Sequence, residues 1–369
     1  MLFSPIAAGG KGELAWEQWQ RVAGVFDVTG PLPGGALLLA TGRGLFELSP
    51  GGALSPVSAG YTPSAGAEAY IALSSGLAVP GAGCSFPDHT VYLLQTAAPP
   101  AVLADDLASG VISTLAPIAG VDTLSGIAFD RSGRFGDRLL VIGPHSGATV
   151  VDAIDCRGRV TPVTTSAPRM EGGMAVAPPT FGAYGGDLVV PDELSGNIIA
   201  VTAEGTTLVI ARAGPPIGPD VGAESAGFVP TGFFGGGWAY LADRATAGNA
   251  HPGTDTLLRL SAAALRDQGV AEGDLLVAGE GGGATIAVHC AADGSCSGAR
   301  RIGLASEQAH VEGHLLLVAD RPGTSPRRLP EGRLGAAGRG GVFLYLPYAV
   351  GIVLLAGLYL LYRRRSRPR

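Results

Sequence analysis

Ser125 to Gly158, SGIAFDRSGRFGDRLLVIGPHSGATVVDAIDCRG, and Gly172 to Gly205, GGMAVAPPTFGAYGGDLVVPDELSGNIIAVTAEG, are two copies of one phrase. Each opens on a small residue, a glycine and an alternating apolar strand. Each continues with an aromatic-Gly turn (Phe135-Gly136, Tyr184-Gly185), a second strand (RLLVI, DLVVP) and a Ser-Gly turn (Ser146-Gly147, Ser195-Gly196). A third strand and a glycine close the phrase. The shift from Leu139 to Leu188 is 49 residues. Short strands at that period are the signature of a propeller blade, which must stack on neighbours to bury its faces.

The phrase returns from Ala226 to Leu260 as GFVPTGFFGGG, WAYLADR, an insertion from Ala245 to Thr254, and DTLLRL. It appears again as HLLLVADR at 314–321. More diverged copies are GGALLLATGRGLFELSPGG at 34–52, and AYIALSSG at 69–76 followed by TVYLL at 90–94. The stretch from about residue 15 to residue 320 holds six such units, with seven as the upper count. The fold expected is all-β, a six-bladed β-propeller over 1–320. The 59 Gly and 27 Pro agree, since turns use these residues and long helices do not tolerate them. ELAWEQWQRVAG, Glu13 to Gly24, reads as one short helix or an outer strand that packs where the ring closes.

The phrases LVVPDELSGNIIAV and YLADR, with the Gly-apolar-Ala strand openings, resemble the NHL and SMP-30/gluconolactonase-like propellers. The resemblance covers about 200 residues and rests on a degenerate blade pattern. It implies fold more than activity. In gluconolactonase-like propellers a metal sits at the channel mouth, held in part by a Glu that opens a blade. Glu171-Gly172 is similar to that opening.

Acids recur beside the strand openings: Glu68 before AYIAL, Glu171 before GGMAV, Glu224 before SAGFV and Glu312 before GHLLLV. Glu171, Glu224, Glu68 and Asp192 are the candidate metal ligands. Calcium is the candidate ion, because it takes several carboxylate oxygens. The bland reading of such acids is a solvated loop. Asp192, Asp243 and Asp320 occupy one position in three repeats, which favours a role in capping turns. His310 and His314 are four apart but run into a strand. Residues so spaced share a face roughly 13 Å apart, too far to hold one metal. No G-x-S-x-G, no G-x-x-x-x-G-K and no helix-opening G-x-G-x-x-G occurs.

Cys290 and Cys296 bracket a turn-like A-A-D-G-S and are expected to form a disulfide; Cys84 and Cys156 are a second candidate pair. A net charge of -6 argues against nucleic acid as a partner, since phosphate binding needs basic patches.

Arg321 to Gly341 is rich in Pro, Gly and Arg without apolar period and reads as a flexible linker. Residues 342–362, VFLYLPYAVGIVLLAGLYLLY, carry no charge and are long enough for a transmembrane helix. The tail 363–369 holds five arginines and fits the cytoplasmic side. MLFSPIAAGGKGELAW shows neither a basic n-region nor a full apolar h-region. The opposite orientation would carry the five arginines across the bilayer, so the arrangement expected is single-pass, with the propeller outside. Two functions fit: a membrane-tethered binding or interaction scaffold for an unidentified ligand or protein partner, or a calcium-dependent lactonase or hydrolase of the SMP-30 type. A quinone-dependent sugar dehydrogenase lacks its basic and aromatic cluster. Deleting residues 342–369 is expected to move the protein from the membrane fraction to the soluble fraction; a truncated chain that still resists carbonate extraction overturns the anchor.

Overall fold

The repeats from blade 1 to blade 4 each fold into one four-stranded sheet. The computed structural model describes residues 14–58, 60–63 and 68–320. The expected linker, span and tail at 321–369 lie outside the described residues. Among the described residues no helix is long and apolar enough to cross a membrane.

Among the described residues, six sheets of four or five strands form the blades. Blade 1 is a meander of Val25–Thr29, Leu37–Thr41, Gly44–Leu48 and Leu54–Ser58. Blade 2 runs through Ile71–Ser75, Asp88–Gln95, Ala101–Asp106 and Val111–Pro117. Blade 3 comprises Gly126–Phe129, Leu139–His145, Ala148–Ile154 and Val160–Ala167; blade 4 comprises Ala175–Val176, Leu188–Asp192, Asn197–Val201 and Thr207–Arg212. Residues 125–158 and 172–205 are therefore the first three strands of blades 3 and 4. Large apolar side chains fill the space between blades. Phe86 and Tyr92 of the blade 2 segment pack edge-on against Phe129 of blade 3, with ring centroids 5.0 and 5.6 Å away. Such geometry is the favoured one for aromatic pairs.

The last two blades depart from the simple repeat. Ala223–Phe228 is the inner strand of blade 5, but the chain then leaves it. Trp238–Asp243 and Thr256–Ser261 pair with each other in blade 6. The chain returns through the helix Ala262–Asp267 to build Leu275–Gly279, Thr285–Val288 and Arg300–Leu304 of blade 5. It then supplies the inner strand of blade 6, Val311–Val318, which pairs with Trp238–Asp243. The stretch 226–260, expected to be one blade, thus belongs to two. Asp320 follows an inner strand, whereas Asp192 and Asp243 end second strands, so the three are not equivalent. The switch point has a local cause. Ser261 caps the helix by accepting the Ala264 N–H, and Gly269 at φ +77° ends it.

The N-terminal segment is strand, not helix. Glu17–Arg21 forms the outer strand of blade 6, and Leu14–Ala15 adds in parallel to Arg300–Leu304 of blade 5. The earliest described residues thus seal the two interleaved blades. Trp16 lies between them, buried, with its indole N–H donating to Thr285 Oγ1 at 2.9 Å.

At the centre the inner strands are tied by one carboxylate. Asp27 of blade 1 is fully buried. It accepts the backbone N–H of Val28 (2.7 Å), of Ile71 in blade 2 (2.8 Å) and of His314 in blade 6 (2.7 Å). The His314 ring adds Nδ1, 2.8 Å from Asp27 Oδ2, while Nε2 lies 2.8 Å from the Ile127 carbonyl of blade 3. Both ring nitrogens face acceptors, so the geometry calls for the imidazolium. Burial by itself would lower the His314 pKa; the Asp27 charge and these hydrogen bonds outweigh it and hold it above its usual value. Glycines let the strands approach this closely. A Cβ on Gly173 would lie 2.2 Å from the Gly313 carbonyl, and one on Gly313, at φ +75°, would lie 2.5 Å from that of Phe26.

Removing one partner of a buried ion pair strands the other charge. Asp27→Asn is expected to lower the unfolding free energy by about 3–5 kcal/mol, measured by urea denaturation near pH 6. A loss below about 1 kcal/mol, the range of an exposed pair, would show that Asp27 does not hold the ring.

Candidate functional site

Glutamates at the starts of inner strands meet at one mouth of the channel. Glu224 lies at the start of Ala223–Phe228 and Glu312 at the start of Val311–Val318. Glu68 and Glu171 precede the inner strands of blades 2 and 4. Two further acids arrive from the ends of second strands: Glu280 after Leu275–Gly279, and Glu193 after Leu188–Asp192. Each of these carboxyls feels the charge of others in the group, and Glu312 is the common neighbour of Glu68, Glu224 and Glu280.

Compensating cations are few. Arg169 pairs with Glu171, with Glu193 at 2.8 Å and with Asp192 at 3.5 Å. Arg244 reaches Glu312 at 3.3 Å and stacks over Phe26 with its guanidinium carbon 5.0 Å from the ring centroid. The imidazole of His310 also lies against these acids. Its buried ring places Nε2 3.2 Å from Glu280 Oε1 and 3.3 Å from Glu312 Oε1, and Nδ1 has no hydrogen-bond partner among the described residues. The ligand atoms of Glu280, His310 and Glu312 all lie within 4.8 Å of one another. Donors around a small ion at 2.0–2.2 Å sit roughly 3.4 Å apart, so these separations suit a shared ion.

The acids respond as crowded buried carboxyls do. Burial first, then Glu312 and Glu171, pushes Glu68 up to about 8. Burial and Glu171 push Glu193 up to about 7. Burial, Glu312 and Glu193 push Glu280 up to about 10. Glu224, fully enclosed, is raised well above the usual range by burial and by Glu312, and its Oε1 accepts the Tyr70 hydroxyl at 2.5 Å. The Tyr70 ring meets the His314 ring edge-on at 5.8 Å. Tyr70, His314 and Asp27 thus form a floor beneath the acids.

Of the acids expected as ligands, Glu68 and Glu224 join the group around Glu312. Glu171 sits on its edge, held by Arg169. Asp192 organises its own turn, accepting the Leu194 N–H at 3.3 Å and the Ser195 hydroxyl. Asp243 does more than cap: its Oδ1 accepts the His310 N–H at 2.9 Å and fixes the backbone that carries the imidazole. Glu280 and His310 were missed by sequence reasoning. A signal for one of them exists, because His310 and Glu312 are two apart and so share one face of an extended strand. Disulfides join Cys290 to Cys296 across a tight turn, and Cys84 beside blade 2 to Cys156 in blade 3.

No family model matches this chain, and no curated protein matches it in sequence. Solved structures match in shape. A gluconolactonase from Xanthomonas campestris is 12% identical, with a TM-score of 0.47 and 80% of each chain covered. A streptogramin B lyase is 12% identical at a TM-score of 0.42, covering 79% of this chain and 87% of that one. A virginiamycin B lyase from Staphylococcus aureus is 13% identical at 0.39, covering 81% and 97%. Likeness this distant carries no argument about activity, and the six-bladed ring rests on the strand topology itself.

The raised carboxyls set a pH dependence. A folded pKa above the unfolded value of about 4.3 means that the folded state binds more protons, so stability falls as pH rises through that interval. His314, also raised, contributes stability below its unfolded pKa of about 6.5 and loses it as pH rises through the folded value. Both effects have the same sign. Without added divalent cation, Tm is therefore expected to fall steadily from pH 5 to pH 8, the interval set by Glu193 and Glu68. A Tm that stays flat or rises over this interval contradicts the crowded-carboxyl reading.

Proposed function

We propose that this propeller, tethered outside the membrane, binds a divalent cation at its acidic mouth and presents that ion to a small oxygen-rich ligand. The observation that carries the reading is Glu312, buried between Glu280 and His310 on one side and Glu68 and Glu224 on the other. Buried like charges without matching cations are costly, and an ion among them removes the cost. Glu280, His310 and Glu312 would hold it. An imidazole beside two carboxylates favours zinc or manganese over the calcium that an all-oxygen set would favour. Once bound, such an ion polarises a carbonyl or phosphoryl oxygen of a ligand. Arg244, 3.3 Å from Glu312, orients its carboxyl. Asp243 positions His310, and the Tyr70–Glu224 pair closes the site from below. The two disulfides support the exterior placement, since such bonds persist in oxidising compartments.

Hydrolysis of a lactone or ester is the second reading, favoured by one observation. Glu193 at about 7 and Glu68 at about 8 have pKa values suited to general acid–base work near neutral pH. Either carboxyl would hold a proton at the mouth for transfer to a leaving oxygen.

Isothermal titration of the chelator-treated full chain with Zn²⁺, Mn²⁺ and Ca²⁺ tests the ion. One equivalent is expected to bind, with Zn²⁺ or Mn²⁺ preferred. Glu312→Gln and His310→Ala are each expected to weaken it at least about tenfold. Absence of saturable binding by the unsubstituted protein at millimolar ion sinks the reading. A lactonase assay on the ion-loaded protein then separates the hydrolase from the binding protein.

A further inference from the structure

The channel opens again at the opposite end. Below the Tyr70–His314–Asp27 floor, the downstream parts of the inner strands and the loops after them surround a cavity of about 680 Å³. That lies within the range of small-molecule sites. Every blade contributes an apolar wall: Val28, Leu73, Phe129, Val176, Phe228 and Leu317. None of the glutamates of the acidic mouth lines it.

One cation without an ion-pair partner among the described residues faces this space. Arg131 follows the inner strand of blade 3 and lines the cavity. Its Nη2 donates to the Leu73 carbonyl at 3.3 Å, which anchors the side chain against blade 2. It has no ion-pair partner among the described residues. The neighbouring acid is otherwise engaged. Asp130 is fully buried, and its Oδ1 accepts from Ser132 N (2.9 Å), Ser132 Oγ (2.7 Å) and Gly133 N (3.1 Å). Its Oδ2 accepts from Phe135 N (2.7 Å) and Asp137 N (3.0 Å). Five bonds to one carboxylate make the loop that carries Arg131 rigid, and leave the guanidinium charge for something else.

Two other charged groups line the cavity, His314 and Glu272, and Glu272 keeps its negative charge at the rim. His314 in the floor is neutralised by Asp27. Glu272 at the rim, on the blade 5 side, accepts the Gly232 N–H at 2.8 Å. A mostly apolar cavity with a guanidinium that has no ion-pair partner among the described residues suits a molecule with an apolar body and one anionic head. Guanidinium pairs carboxylates in a two-pronged geometry that a neutral head cannot match.

We infer that this lower cavity is a second binding site, for a small amphipathic carboxylate whose head pairs with Arg131 and whose apolar body lies against the inner-strand ends. It is independent of the ion at the acidic mouth, because no residue is shared between the two and the His314 floor separates them.

Equilibrium dialysis of the full chain in lipid nanodiscs against 6-phenylhexanoate, with its neutral amide as the comparison and empty nanodiscs subtracted, tests the site. The acid is expected to bind saturably with one equivalent, and the amide at least tenfold more weakly. Arg131→Gln is expected to erase the difference between the two, while Arg131→Lys retains a preference for the acid. Ala175→Phe, which places a ring in the cavity, is expected to abolish binding of both; unchanged thermal unfolding confirms that each variant is folded. No saturable binding of the acid overturns the inference. So does equal binding of acid and amide, or a preference that survives Arg131→Gln.

Discussion

Asp27 is the constraint on which the ring depends. A propeller has no central core, because its inner strands surround a channel. Something must hold six strand edges at a fixed radius while their backbones face one another across a narrow space. Here a single buried carboxylate takes donors from blades 1, 2 and 6, and the histidine it binds reaches the carbonyl of blade 3. A carboxylate offers about four acceptor sites, so one side chain can satisfy several inward-facing N–H groups that no ladder pairs. The same pair closes the channel and divides it into an acidic end and an apolar end.

Closure of the ring is unusually thorough. Many rings could be sealed by one strand from the far end of the chain. Here the N-terminal segment adds strands to both blade 5 and blade 6, and those two blades exchange segments before they are complete. Neither blade can leave the ring without unpairing the other. Arg259 reinforces the outer seam, paired with Glu17 at 2.8 Å and stacked over Trp19 and Trp238 with centroid distances of 5.1 and 4.4 Å. Cys84–Cys156 ties blades 2 and 3 on the other side of the ring. By the chain-entropy argument a loop of this length gains roughly 4 kcal/mol from its closure.

The two ends of the channel differ because strand direction sorts residues by position. All six inner strands carry their upstream residues to one mouth and their downstream residues to the other. The acids that open the blades therefore gather by geometry, although they are spread from residue 68 to residue 312. The apolar ends gather in the same way. Raised carboxyl pKa values at the first mouth and a lone guanidinium at the second are consequences of this sorting. Neither needs sequence neighbours.

By itself the sequence determined the blade, since period-two apolar alternation and glycine turns at a 49-residue shift are local properties that survive divergence. It also marked Glu68, Glu171, Glu224 and Glu312, because each sits beside a strand opening. It did not reveal the exchange between blades 5 and 6. The strands in 226–260 look alike wherever they pair, and partner choice is decided by packing between distant segments. Nor did it point to Asp27, which lies inside VFDVT with nothing local to distinguish it from a turn acid. Glu280 is hidden in a glycine-rich run, and His310 invites pairing with His314, four residues on, while its partners are Glu312, two residues on, and Glu280, thirty residues back. Local chemistry writes the repeat; only the closed ring decides which charges meet, because contacts across a channel have no sequence period.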